Sequence, residues 1–217
     1  VNNTSQARRQ RMVSDQLRRR DIIDPHVLSA FAVVDREQFV PSPLASHAYD
    51  DAPLPIGDGQ TISQPYVVAM TAQALHLRGH ERVLEIGTGS GYAAAILATM
   101  VRDVETIERI EALALAAAAR LAHLGFHNVH VHCGDGSLGW PLAAPYEAIA
   151  VAAGAPRPPR SLLDQLAIGG RLVLPHGDVE HQRLVRITRR TADQFEEEDL
   201  GEVRFVPLVG AEGWPVA

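Results

Sequence analysis

The sequence predicts an α/β fold built on a doubly wound, mostly parallel sheet. Two observations carry this. From Arg82 to Arg190, short apolar runs alternate with helical segments, the pattern of parallel strands joined by right-handed crossovers. The first of these strands ends in a glycine-rich turn, EIGTGSGY. Hydrophobic residues make up 46% of the 217 positions, enough to bury a core without staples. N-terminal helices and a C-terminal strand extension complete the expectation. The chain reads as one domain, with residues 1–80 as helical cap and loop, 81–190 as core and 191–217 as extension.

Each element has a local reason. In RRQRMVSDQLRRR, Met12, Val13 and Leu17 fall on one helical face. Asp24-Pro25 reads as an N-cap followed by proline at the first helical position, opening PHVLSAFAVV. Proline and glycine are frequent from Pro41 to Gln64, and LPIGDGQTISQPY (Leu54–Tyr66) is expected to be neither helix nor strand. Pro65 to His76 reads as a helix closed by Gly79. Then follow strand RVLEI, helix GYAAAILATM, strand DVETI and the alanine-rich helix EALALAAAARLAHL, with Gly125 just past its end. Strands NVHVHC and YEAIAVAA, helix PPRSLLDQLA, strands GRLVLP and QRLVRITRR, and a last strand in EVRFVPLV complete the series.

Composition excludes several function classes. All 20 basic residues are arginine, so Schiff-base, pyridoxal-phosphate and phosphate-loop lysines are impossible. A single cysteine, Cys133, rules out an intramolecular disulfide and any multi-cysteine metal site; it reads as a buried strand-end residue. Ten histidines lack supporting acids or cysteines at ligand spacing, so no metal is expected. The net charge of −6 argues against nucleic acid as the main partner. Arg8, Arg9, Arg11, Arg18, Arg19 and Arg20 form the one basic cluster, read as the solvated face of an amphipathic helix. No apolar run approaches the ~18 residues of a membrane span. The N-terminal stretch lacks an apolar signal-peptide core, and a cytoplasmic setting is expected.

The chemistry gathers at strand ends. Gly87, Gly89 and Gly91 follow RVLEI and precede a helix, where a backbone can turn sharply and a ligand can lie against it. A tight turn with no ligand is the competing reading. Glu108 ends the next strand, about 20 positions beyond the first glycine, where a carboxylate can accept both ribose hydroxyls of a nucleoside. It would also suit a helix N-terminus. Asp135, at the third strand end, could accept an adenine amino group or cap a turn. Together the three ends make an adenosine-shaped site. Glu85, two residues before the first glycine, discourages a pyrophosphate and suits a ligand with an ammonium group. S-adenosylmethionine has that combination.

These residues resemble a known family. RVLEIGTGSGYAAAILA, AYDDAPLPIGDGQTISQPY, GDGSLGW…APYEAIAVAA, QLAIGGRLVLPHG and VRFVPLV are similar, in order and over nearly the whole chain, to protein-L-isoaspartate O-methyltransferases. AFAVVDREQFVP also fits, although the family usually has proline where this chain has Asp35; that departure is expected to affect only a local turn. The resemblance implies a Rossmann-like S-adenosylmethionine-dependent methyltransferase that methylates the free carboxylate of L-isoaspartyl residues in damaged proteins and peptides. S-adenosyl-L-homocysteine is the implied product. The methyl ester then closes to a succinimide without the enzyme, initiating repair. The resemblance assigns Gln60, Thr61, Ile62 and Ser63 to the cofactor and active-site loop. It gives Gly87, Gly89 and Gly91 to the amino-acid end of the donor, Glu108 to the ribose, and Asp135 with Gly136 to the adenine, with Thr88 and Arg109 also among the cofactor residues. Glu85 is counted with the cofactor residues. Ser63 matches the active-site serine, its alternative being a helix N-cap, and Val206, Pro207 and Leu208 lie near the substrate. Three other readings stay open at this point: a small-molecule methyltransferase of the same fold, a non-catalytic donor-binding module, and, disfavoured by the glycine spacing, a nicotinamide dehydrogenase.

Overall fold

The computed structural model describes residues 3–215. Seven strands form the main sheet: β3 (Arg82–Ile86), β4 (Asp103–Glu108), β5 (Val129–Cys133), β6 (Tyr146–Val151), β7 (Leu166–Gly177), β8 (Gln182–Arg189) and β9 (Phe195–Val203), in the order β5-β4-β3-β6-β7-β8-β9. The pairs from β5 through β7 are parallel, and β7-β8 and β8-β9 are antiparallel. The chain order turns back at β3, which pairs with β4 on one side and β6 on the other. A ligand crevice is expected outside the carboxyl ends of strands at such a point.

Alternate residues of each central strand serve opposite faces. Val83 and Val104 join a core with α2 (Pro25–Val33), α3 (Pro65–Ala74), α4 (Tyr92–Ala98) and Leu121 of α5 (Glu111–His123). Leu84, Ile86 and Ile107 join a second core with Leu162 of α6 (Arg160–Gln165) and Leu208. Asp24 caps α2 as expected, accepting from the His26 and Val27 N–H groups. Helix α3 stops at Ala74, sooner than expected, because His76 already takes a left-handed φ of 51°.

Four expectations are corrected. First, the proline- and glycine-rich loop contains a hairpin, β1 (Leu54–Gly57) with β2 (Gln60–Ile62). Asp58 and Gly59, at φ 51° and 69°, supply the two positive-φ residues that a tight two-residue hairpin turn requires. Second, EVRFVPLV is not a strand of its own. Its Glu202 and Val203 end β9, and residues 204–206 leave the sheet. The acidic run FEEEDLGEV makes the edge strand instead, because β8 and the residue just past it oppose it with arginines: Arg183 meets Asp199, Arg186 meets Glu198 and Arg190 meets Glu196.

Third, the basic N-terminal cluster is not simply a solvated face. The α-helix α1 (Asn3–Arg11) runs into a wider turn over Met12–Leu17, where i,i+5 spacing aligns two side chains, and Met12 and Leu17 are both fully buried. Arg8 pairs with Glu37, Arg9 with Asp35 and Arg20 with Asp51. Asp35 also accepts the Tyr49 hydroxyl at 2.9 Å, so this residue ties α1 to the segment before the hairpin rather than shaping only a local turn. Fourth, Cys133 is exposed, because β5 is an edge strand.

Candidate active site

A cleft opens at the carboxyl ends of β3, β4 and β6, the place where a doubly wound sheet binds ligands. The glycine turn forms one wall. Gly87, Gly89 and Gly91 have φ of 94°, 52° and 88°, conformations that side chains with a Cβ rarely adopt. The Gly87 N–H donates to the Ile107 carbonyl at 2.8 Å, and the Gly91 N–H closes the turn on Thr88 at 2.8 Å. Glu108 accepts the Gly89 N–H through Oε2 at 2.9 Å and the Ile110 N–H through Oε1 at 3.0 Å. Each carboxylate oxygen has a second lone pair to offer, so Glu108 can brace the turn and still accept a ligand's hydroxyl groups. Thr88, Arg109 and Gly136 line the same cleft.

Three residues assigned to the donor do not line the cleft itself. Glu85 is beneath the turn, fully buried, at the edge of a smaller apolar cavity. Its Oε2 accepts the Thr106 hydroxyl at 2.5 Å, and Thr106 contacts the Thr88 hydroxyl at 2.6 Å. Glu85 therefore supports the turn through two threonines. Burial pushes its carboxyl up to about 8, against the Thr106 bond and with help from the Glu108 charge. Gly91 sits where α4 begins; a Cβ there would lie 3.1 Å from Leu121 Cδ1, so its smallness serves helix packing. Asp135 accepts the Ser137 N–H and hydroxyl at 2.9 and 2.7 Å and the Ala211 N–H at 2.7 Å. Burial raises its pKa, but the bonds from Ala211 and Ser137 outweigh that and hold it below the usual carboxylate range. Its carboxylate is thus shared between its own turn, through Ser137, and the chain's C-terminal segment, through Ala211.

That segment covers the cleft. Val206, Pro207 and Leu208 line it. The Gly154 N–H donates to the Val206 carbonyl and the Leu208 N–H to the Gly154 carbonyl, both at 2.8 Å. Glu212 accepts from the Ser161 N–H and hydroxyl at 2.9 and 2.7 Å, and Trp214 Nε1 donates to the Gly154 carbonyl at 3.0 Å. Trp214 fastens this strap, whereas Trp140 stacks on His132 at 3.9 Å, away from the cleft.

Opposite the glycine turn, the hairpin supplies Gln60, Thr61, Ile62 and Ser63. The alternative of Ser63 as helix cap fails: Gln64 occupies the N-cap of α3, with Pro65 at the first helical position. Among the described residues, the Ser63 hydroxyl makes no side-chain hydrogen bond. A second, open cleft, lined by Arg20, Tyr66, Arg204 and Phe205 among others, adjoins the first. Ser63 and Ala152 border both clefts and the small cavity behind them. Sequence reasoning missed Tyr92 and Ala152 in the walls; both follow strand-end or turn residues whose neighbours it did identify. It missed Tyr66, three residues after Ser63, and Arg20, which only tertiary packing brings to Tyr66 and Ser63.

A doubly wound sheet with this glycine turn, a carboxylate at the next strand end and a cleft at the switch point defines a Rossmann-like methyltransferase fold. Comparison with known proteins narrows the class. The profile of the family described as protein-L-isoaspartate(D-aspartate) O-methyltransferase matches residues 7–213, and the chain belongs to that family. It is 61% identical to protein-L-isoaspartate O-methyltransferase 1 of Rhodopseudomonas palustris (strain HaA2), over 96% of this chain and 85% of the relative. It is 57% identical to protein-L-isoaspartate O-methyltransferase 2 of Marinobacter nauticus, over 95% of each. A solved protein-L-isoaspartate O-methyltransferase superimposes with a TM-score of 0.85 at 29% identity, over 94% of this chain and 67% of that one. A Plasmodium falciparum beta-aspartate methyltransferase in complex with S-adenosyl-L-homocysteine gives 0.78 at 25% identity, over 94% and 98%.

Proposed function

We propose that the chain transfers a methyl group from S-adenosylmethionine to the free carboxylate of L-isoaspartyl residues in damaged proteins and peptides, with the first cleft holding the donor and the second the acceptor. The observation that carries this reading is Ser63, a hydroxyl without a side-chain partner on the wall that the two clefts share. When bound, S-adenosylmethionine supplies a methyl group on a positive sulfonium. The glycine turn leaves room for the donor's amino-acid end, and Glu108 has acceptor capacity for its ribose.

The acceptor is a carboxylate with a free pKa of about 4, so it is deprotonated at neutral pH and needs no general base. The protein's task is alignment. Ser63 donates a hydrogen bond to the carboxylate and aims one oxygen toward the donor cleft; it attacks nothing. Good alignment alone can be worth on the order of 7–11 kcal/mol. The Val206–Leu208 strap and the hairpin enclose the reacting groups. Damaged polypeptides are the partners on this reading, and a lone cysteine fits a reducing, cytoplasmic setting. No described helix is long and apolar enough to cross a membrane.

The test is labelled-methyl transfer to an isoaspartyl peptide and to its normal aspartyl twin. Transfer to the isoaspartyl form alone is expected. Equal transfer to both, or transfer only to a small-molecule acid or amine, would overturn the reading.

A further inference from the structure

Arg36 is the largest fully buried side chain described in the protein. It belongs to no ion pair among the described residues. Taking a guanidinium out of water costs several kcal/mol unless its donors are well used, and burial lowers this one's pKa against the attraction of Tyr92, Tyr49, Asp50 and Asp51. The donors go to backbone carbonyls. Nη2 donates to the Ser63 carbonyl at 2.9 Å and to that of Ala52 at 3.5 Å, and Nη1 to that of Ala48. Its Nε has no partner. None of the three accepting residues lies in a helix or strand, so the cation substitutes for secondary structure on both flanks of the hairpin.

Its other neighbour is Tyr92. The guanidinium carbon lies 5.6 Å from the Tyr92 ring centre. That ring is also held edge-on by Phe31 at 6.0 Å and Phe39 at 5.5 Å, and it lines the first cleft. Arg36 therefore touches both a wall of the donor cleft and the carbonyl of the serine that faces the acceptor.

We propose that Arg36 is the positioning residue for methyl transfer, fixing the Ser63 backbone through the carbonyl bond and so setting the direction of the Ser63 hydroxyl. This rests on the reading of Ser63 given above. Arg36 does not touch the reacting atoms. A fork that reaches three carbonyls at once cannot be replaced by a single ammonium, so Arg36→Lys restores charge without restoring geometry.

The experiment is a double-mutant cycle on turnover of an isoaspartyl peptide by the full chain, using Arg36→Lys, Ser63→Ala and the pair, with donor affinity and thermal melting measured on each. Arg36→Lys is expected to lower kcat about tenfold or more while the donor Kd changes by less than about threefold. In the Ser63→Ala background the same change should cost less than about twofold, since no hydroxyl is left to aim. Arg36→Met should fall further than Arg36→Lys; if it does not fold, the lysine cycle alone decides. Multiplicative losses, or an Arg36→Lys enzyme with unchanged kcat, overturn the inference while leaving Ser63 in place. Unchanged turnover in Ser63→Ala alone removes the reading on which both stand.

Discussion

The two walls of the active site are built in different ways. The donor wall is local. Its glycine turn, Glu108 and the Thr88–Thr106–Glu85 relay come from neighbouring strand ends, and backbone N–H groups or hydroxyls within 3.0 Å hold both glutamates. The acceptor wall is assembled at long range. The hairpin is pinned by Arg36 from 27 positions away, and the strap by Asp135 from 76 and by Ser161 from 51. A wall made from one supersecondary unit folds with its strands. A wall made from distant anchors can be loosened one anchor at a time. The difference teaches that pH should act mainly through the glycine-turn wall, and single-anchor mutations mainly through the hairpin and strap, which line the donor cleft as well.

The largest expected effect tests the donor wall. Glu85 in the folded protein keeps its proton up to about pH 8, whereas its ordinary value is 4.5. Between those values the folded state binds a proton that the unfolded chain has released. Its stability contribution is full below about pH 4.5 and is lost as pH rises through about 8. The whole shift sets an upper bound of about 5 kcal/mol. Glu85→Gln keeps the shape and removes the ionisation, so its melting temperature relative to the parent should climb as pH rises from 5 to 9. For a chain of this size about 1 kcal/mol moves Tm by roughly 2–4 °C, so the gap should open by about 10 °C if the full shift applies. Parallel melting curves across that range would show that Glu85 is not the buried acid described here.

Next in size is the acceptor wall's own hydroxyl. Ser63→Ala should lower kcat with an isoaspartyl peptide about 10²-fold, the usual loss for one well-placed donor to a reacting group, with donor affinity within about threefold. Steady-state kinetics and a donor titration measure both. A Ser63→Ala enzyme that loses donor affinity instead would make the serine part of the donor wall and erase the contrast.

The same contrast explains what was legible in the sequence. EIGTGSGY and the strand-end Glu108 could be read directly, because glycine conformation and strand periodicity are local properties. The hairpin was missed although Asp58-Gly59 is a strong turn signal, because β1 and β2 are four and three residues long and β1 contains Pro55. β9 was missed because FEEEDLGEV has poor strand propensity on its own; its partners are arginines of β8, which propensity does not see. At Asp135 the turn that follows is visible in sequence, and its bond from Ala211, 76 positions away, is not. Arg36 lay within a quoted motif, yet nothing in its neighbours announced a buried cation reaching Ser63.

The smallest expected effect decides what Asp135 does. Asp135→Asn keeps an oxygen for Ser137 but replaces one acceptor oxygen by an amide that cannot accept the Ala211 N–H. If the carboxylate works through the strap, the donor should dissociate about three- to tenfold faster, with turnover nearly unchanged. Gly210→Ala reaches the same anchor from the other side: a Cβ there would lie 2.0 Å from Asp135 Oδ1 and 2.6 Å from Ser137 Oγ, so the strap and the carboxylate must move apart while the charge is kept. Stopped-flow donor release should then quicken alike in both variants. If Asp135→Asn speeds release and Gly210→Ala does not, the carboxylate acts on the donor directly and the strap is only its neighbour. Equal quickening instead makes the strap the gate, because the one feature the two substitutions share is a broken hold on the segment from Gly210 to Ala211.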